Sequence, residues 1–153
     1  MEDDVYVSLG QVGSNPNSVS YSPNGTINSN GNVTATENSF TDNDIIGIAL
    51  DLDNGAVYFS KNGTYQNNGN PASGSSRTGS LYNFTASSKV YYFAATVYTS
   101  TAIISANFGN GYFGTTAVTT NSGNGYQDAD GNGIMNYSVP TNYRCLCTKG
   151  LNQ

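Results

Sequence analysis

Two short acidic segments are where residue type and spacing in this 153-residue chain could support chemistry. Asp51 and Asp53 alternate along the segment that begins at Leu50, so on a strand both carboxylates share one face. Glycoside hydrolysis needs two carboxyl groups about 5–10 Å apart. Asp53 also leads into Asn54-Gly55, and an Asp at a turn caps backbone N–H groups, so a structural role is expected for the pair. Further on, Asp128-Ala129-Asp130-Gly131-Asn132-Gly133 repeats the first half of a calcium loop, with Asp128, Asp130 and Asn132 as the oxygen donors. The bidentate acid that an EF-hand places at its twelfth position would fall on Val139, and the apolar run Ile134 to Val139 reads as strand, not exiting helix. A plain turn is expected there, with no metal and no other cofactor.

The remaining reactive side chains point the same way. Cys145 and Cys147 are the two cysteines, and His is absent. On a strand they would face one side about 7 Å apart, beyond comfortable disulfide reach, and two sulfurs without His make no zinc set. Two reduced thiols packed as small apolar groups are expected, as in an intracellularly assembled protein. Gly109-Asn110-Gly111-Tyr112-Phe113-Gly114 lacks the lysine and the following helix of a phosphate cradle, and reads as a turn. Asn-x-Ser/Thr triplets at Asn24, Asn32, Asn62, Asn83 and Asn136 are what chance supplies in so Asn-, Ser- and Thr-rich a chain. What is left is aromatic and amide surface. Tyr21, Tyr65, Tyr82, Tyr98, Tyr112 and Tyr126 sit in or beside turn signals. Tyr, Ser, Gly and Asn together offer flat contact area and adaptable hydrogen bonds at low entropy cost.

The elements that must position these groups are strands. Gly or Asn interrupts every window in which a helical period begins. Alternating runs are expected to form strands at Val5 to Leu9, Ser18 to Ser22, around Val33 and Ala35, Ile45 to Leu52, Ala56 to Ser60, Val90 to Val97, Ala102 to Phe108, around Ala117-Val118, Ile134 to Val139 and Tyr143 to Cys147. Turns are expected at Pro23-Asn24-Gly25, Asn30-Gly31, Asp53-Asn54-Gly55 and Lys61-Asn62-Gly63, where Asn-Gly accepts the positive φ of a hairpin turn. Tyr65 to Ser80 is rich in Asn, Gly and Ser and contains Pro71, and is expected to be a long loop of the kind that carries function.

Composition bounds the classes of partner. Charged residues make up 10% of the chain and hydrophobic ones 37%, with 12 Tyr. Low charge with abundant aromatics is the opposite of a disordered signature, and uncharged polar residues beside β-branched and aromatic ones suit antiparallel strands and their turns. A net charge of −5 with five Lys plus Arg offers no counterion release to a nucleic acid. No apolar run approaches the roughly 20 residues of a membrane-spanning helix. The start Met1-Glu2-Asp3-Asp4 lacks the basic-then-apolar order of a signal peptide, so the expectation is a chain without an export signal or a piece of a longer one.

The run from Asp44 through Ile48-Ala49-Leu50-Asp51-Leu52-Asp53 to Phe59-Ser60-Lys61-Asn62-Gly63 resembles the central signature of SPRY domains: an entry D-x-I-G, a strand x-L-D-L-D, a Gly turn, a strand ending in an aromatic, then K-N-G. Tyr91-Tyr92-Phe93-Ala94-Ala95 through Ile104-Ser105-Ala106-Asn107-Phe108-Gly109 is similar to the late Y-P-A-V and V-x-x-N-F-G strands, with Phe93 in place of Pro. The resemblance covers about Val5 to Gly109. The family opens on strands with a W-Y-x-E-V pattern, and this chain has no Trp, so its first strands are expected to be missing, with something else covering the open sheet edge. Glucanases of the related lectin-like sandwich carry an E-x-D-x-E strand, but here Ala49 and Gly55 flank the acid pair. The segment Gly133 to Lys149 is similar to a Y-x-V-P-x-G-Y-x-A-L-C-T-K-N-L ending that follows SPRY-like modules in virion proteins of tailed phages. Asn142 stands for its Gly and Cys145 for its small residue.

The resemblance implies an all-β, two-sheet antiparallel sandwich of the concanavalin A-like, SPRY jelly-roll kind. Residues 1–109 are expected to form it, incomplete at the N-terminus, and residues 110–153 to add strands on or beside it. It implies a module that binds and does not catalyse, located in a virion as tail fibre, adhesin or capsid decoration. The partners implied are other virion subunits in multiple copies and a host surface protein or glycan, with neither nucleic acid nor membrane insertion. The rival readings are an assembly scaffold and, remotely, a glycan hydrolase. Tyr21, Tyr65, Asn67, Asn68, Arg77, Tyr82 and Tyr98 are the candidate contact residues, with Tyr65 to Arg77 the first place to look.

Overall fold

The computed structural model describes residues 5–9, 17–85, 90–97, 100–118 and 125–147. The chain divides into two compact units, Met1–Ile103 and Ile104–Gln153. The first contains β1 (Val5–Leu9), β2 (Ser18–Tyr21), β3 (Thr26–Ser29), β4 (Asn32–Thr36), β5 (Ile46–Asp51), β6 (Ala56–Lys61), β7 (Thr64–Tyr65), β8 (Tyr82–Asn83) and β9 (Tyr91–Ala95). One sheet runs in the order β4-β3-β2-β1-β9, and another runs β5-β6-β7 with β8 also pairing with β6. The ladders are antiparallel except at β1, which runs parallel to both β2 and β9.

Period-two alternation turns one side of each sheet inward. Val19 and Tyr21 of β2 and Ile27 of β3 meet Val57 and Phe59 of β6, with Leu81 beside them, in one buried cluster. Ala35, Phe40, Ile46, Ile48, Leu50, Tyr82 and Phe84 pack around it. The Tyr21 ring lies 5.6 Å from Phe59 and 5.0 Å, edge-on, from Phe40. The first unit is therefore an all-β sandwich with its core between two sheets. β6 is buried on its outward side as well: Ala56 and Tyr58 are at most 1% exposed. Something must cover that side, and the segment after β7 does so.

The central hairpin is closed at both ends by its own polar residues. At its turn, Asp51 Oδ1 accepts from Asn54 N at 2.9 Å and Oδ2 from Asn54 Nδ2 at 2.8 Å. The capping role expected of Asp53 thus belongs to Asp51, while Asp53 is exposed. At the open end, Asp44 accepts from Thr41 N at 2.9 Å and from Asn62 Nδ2 at 2.6 Å, and pairs with Lys61 Nζ at 3.1 Å. Asn62 Oδ1 in turn accepts from Ile45 N at 2.9 Å. Two distant parts of one sequence pattern, the entry Asp and the Lys-Asn-Gly exit, are thus a single clasp.

In the second unit, β10 (Tyr112–Phe113) and β11 (Thr116–Ala117) form a short antiparallel hairpin. The strands expected at Ala102 to Phe108, Ile134 to Val139 and Tyr143 to Cys147 do not form among the described residues; Met135 makes only an isolated bridge to Tyr126. Side chains take the place of a ladder here. Asn107 Oδ1 accepts from Gly109 N at 2.7 Å, and Asn107 Nδ2 donates to Ile134 O at 2.9 Å. Beyond Pro140 the backbone closes a turn from Tyr143 N to Pro140 O, and another from Cys147 N to Cys145 O. Local hydrogen bonds of this kind compete directly with sheet pairing.

Candidate binding loop

The expected long loop begins at Tyr65 and holds two short 3-10 turns, Gln66–Asn68 and Pro71–Ser76. It lies on the outward face of β6. Tyr65 pairs opposite Ser60, and so shares that face with Tyr58 two residues earlier. The two rings meet edge-on at 6.4 Å. Burial pushes the Tyr65 hydroxyl up to about 12, so it stays protonated. A Cβ on Gly69 would stand 3.3 Å from the Tyr58 ring, which shows how closely the loop backbone sits on β6.

Polar groups pin the loop from the side. The buried Gln66 accepts through Oε1 from Asn38 N at 3.2 Å and Asn38 Nδ2 at 2.9 Å, and Glu37 Oε2 accepts from Asn67 N at 3.0 Å. Within the loop, Asn70 N donates to Thr78 O, Asn70 Oδ1 accepts from Ala72 N, and Ser73 Oγ accepts from Thr78 N. Three residues that are not glycine hold left-handed backbone: Asn67 at φ 53°, Asn68 at φ 51° and Arg77 at φ 50°. Asn tolerates this region because its side chain can bond locally. Arg77 is the one non-Asn, non-Gly residue described there. Strained backbone of this kind persists only where the surroundings over-determine it, and it clusters at functional sites.

The candidate contact residues separate clearly. Asn67 and Asn68 are exposed, together with Asn70, Ala72, Ser75, Ser76 and Thr78. Arg77 and Tyr65 are half-buried. Tyr82 packs against the core and stacks on Phe84, ring centroids 6.1 Å apart. Tyr21 does not belong to the loop surface at all: it is 0% exposed in β2, its hydroxyl donating to Asn38 O. Its place one residue before Ser22-Pro23 suggested a turn, but the inward period of β2 takes it into the core. Tyr98 lies outside the described residues. The residues that pin the loop, Glu37, Asn38 and Gln66, carry no local signal, because their partners are some 30 positions away.

The other candidate, Asp128 to Gly133, is a capped turn. Asp128 Oδ1 accepts from Asp130 N at 3.0 Å and Asn132 N at 2.9 Å, and Oδ2 from Cys145 N at 3.1 Å. Asp130 is ion-paired with Arg144. The carboxylate oxygens that a calcium loop would present are engaged by the chain's own donors, leaving Asn132 Oδ1 buried without one. Burial works against the charged form of Asp128, but the N–H groups of Asn132, Cys145 and Asp130 and the charge on Arg144 outweigh it and hold the carboxyl below its ordinary value. Asp44 is likewise depressed, by its bonds from Thr41, Asn62 and Lys61. Both groups therefore contribute stability that is complete above the unfolded carboxylate value, about 3.9, and lost as pH falls through the lower folded value. Urea denaturation between pH 6 and pH 2 is expected to show this acid limb, and Asp128→Asn to flatten it for the second unit. Asp128→Ala strands the buried Asn132 and Cys145 donors, at about 1–3 kcal/mol each. An acid limb that Asp128→Asn leaves unchanged would contradict the assignment. Next to this turn, the buried Cys145 thiol is pushed up to about 11, chiefly by burial and then by the Asp128 and Cys147 charges. Both cysteines are free, and so pack as thiols.

A two-sheet sandwich with a clasped central hairpin and an ordered loop laid over one outer face defines a β-sandwich domain. Residues 2–111 match the family model described as SPRY domain, and the chain belongs to the SPRY family. SPRY domains are protein-binding modules. Neither the curated proteins nor the solved structures contain a match to the chain.

Proposed function

We propose that this chain is a non-catalytic recognition module that meets a protein partner on the exposed rim of the 66–78 loop. The observation that carries this reading is a loop with strained backbone at Asn67, Asn68 and Arg77, pinned by Glu37 and Gln66, that still presents exposed amides and hydroxyls. A preordered polar rim loses little entropy on binding. The setting proposed is the virion of a tailed phage, as tail fibre, adhesin or capsid decoration, in multiple copies beside other virion subunits. The likeness of residues 133–149 to the ending of such virion proteins supports it. The external ligand is a host surface protein, with a host glycan as the alternative.

The test is to build particles of the encoding phage with Asn67→Gly and Asn68→Gly, which keep the left-handed backbone and remove both amides. Adsorption to the host is expected to fall at least tenfold, with the chain still incorporated and its melting temperature nearly unchanged. Undiminished adsorption and incorporation would remove the loop as the site. Absence of the chain from purified particles by mass spectrometry would remove the virion role.

One observation favours a second reading, an assembly scaffold. β4 stands at the end of its sheet, and its sequence Asn-Val-Thr-Ala-Thr has no charge and no proline, with Val33 61% exposed. Sheet edges are ordinarily blunted by charges, proline or cover, so a bare one can pair with a neighbouring subunit. A chain that stays monomeric in sedimentation at high concentration would count against this reading.

A further inference from the structure

The cations divide unevenly. Lys61 pairs with Asp44, and Arg144 with Asp130. Arg77 has no acidic partner among the described residues, and its Nε is buried with no acceptor. An arginine carries its donors in a planar fork matched to a carboxylate and cannot shed its charge. A buried donor with no acceptor forfeits the bonds it makes in water. The backbone at the same residue is left-handed, at φ 50° and ψ 37°, where Gly or Asn would sit with less strain. Two costs thus fall on one side chain, and no contact among the described residues repays either. Its neighbours Ser75, Ser76 and Thr78 are exposed hydroxyls, and Asn67 and Asn68 lie on the same loop.

We infer that Arg77 is the anchor for a carboxylate of the protein partner, an Asp or Glu side chain in a segment otherwise short of charge. This deepens the reading above and rests on it. When the side chain turns to meet the acid, its fork exchanges an unmade hydrogen bond for charge-assisted ones. The overall charge of the chain chooses the kind of acid. At −5, the molecule repels polyanions, so an acidic polysaccharide meets a repulsion that a peptide with one acid does not.

A random-peptide array probed with the full chain tests the inference. Bound peptides are expected to be enriched in Asp or Glu. Resynthesised, they are expected to lose about 10- to 100-fold in affinity with Arg77→Gly or Arg77→Asn, the range expected for a lost charge-assisted pair. Changing the peptide acid to its amide is expected to cost the same, and both changes together no more than either alone. Because Gly and Asn suit the left-handed region, both variants are expected to keep or raise the melting temperature, which separates lost recognition from lost folding. Peptides without acids, unchanged affinity for both variants, or no bound peptide would overturn the inference. So would Arg77-dependent binding of oligogalacturonate in place of peptides. Peptides that ignore Arg77 but lose affinity with Asn67→Gly and Asn68→Gly would overturn the carboxylate and leave the loop standing. Peptides indifferent to all of these would remove the loop itself.

Discussion

Gly79→Ala is expected to dismantle the candidate loop and abolish partner binding while the sandwich beneath it still folds. Gly79 has φ +66°, and an added Cβ would stand 2.4 Å from Asn67 O, 2.6 Å from Gly69 Cα and 2.7 Å from Gly69 N. All three are backbone atoms, so no side chain can turn away to make room. The left-handed backbone alone costs a non-glycine residue about 1–2 kcal/mol, and forcing an atom into a packed site adds about 1–3 kcal/mol. The loop carries that sum locally, because Gly79 meets the first turn of the loop and not the sheet core. Hydrogen exchange at Gly69 N and Asn70 N, which donate to Gln66 O and Thr78 O, is expected to accelerate strongly in the variant. Gly131→Ala is the control. Gly131 has φ +73° but nothing within 4 Å of the added atom, so only the backbone cost applies. Unaltered exchange and unaltered binding in Gly79→Ala would show that the loop does not depend on this closure.

Phe59→Ala is expected to destabilise the first unit by about 3–5 kcal/mol, the range for truncating a buried aromatic. Phe59 is fully buried on the central strand of one sheet and touches Tyr21 on the other, so its loss opens a cavity between the layers. Single domains hold only about 5–15 kcal/mol in total, so the melting temperature is expected to fall by more than about ten degrees. Tyr21→Phe keeps the ring and removes only the bond to Asn38 O, at about 0.5–1.5 kcal/mol. Ile103→Ala, at a position 89% exposed, is expected to change stability by no more than about 0.5 kcal/mol. Equal losses in Phe59→Ala and Ile103→Ala would contradict a core between the two sheets.

Legibility of the fold in the residues was greatest where pattern and turn chemistry agreed. Ile46–Asp51 and Ala56–Lys61 form the hairpin that Asn54-Gly55 announces, and Asp44 with Lys61-Asn62-Gly63 carries a recognisable signature because those side chains bind one another. It failed where side chains replaced sheet pairing. Ala102 to Phe108 and Ile134 to Val139 have strand-like composition, yet Asn107 reaches across to Ile134 O and no ladder forms. Nothing in the local pattern distinguishes an amide that caps a neighbour from one that faces water. The parallel pairing of β1 was equally invisible, since alternation sets which way side chains face but says nothing of strand direction.

Alternation, Asn-Gly turns and the low charge were enough by themselves to determine an all-β chain, its central hairpin and the position of the long polar loop, because each depends on neighbours in the chain. Which of the candidate contact residues meet solvent was decided by tertiary structure alone. Tyr21 went to the core and Tyr82 to its margin, while Asn67, Asn68 and Arg77 were held in left-handed backbone on the rim. The physical reason is distance along the chain: Glu37 and Asn38 grip Asn67 and Gln66 only after folding brings together segments that propensity treats separately.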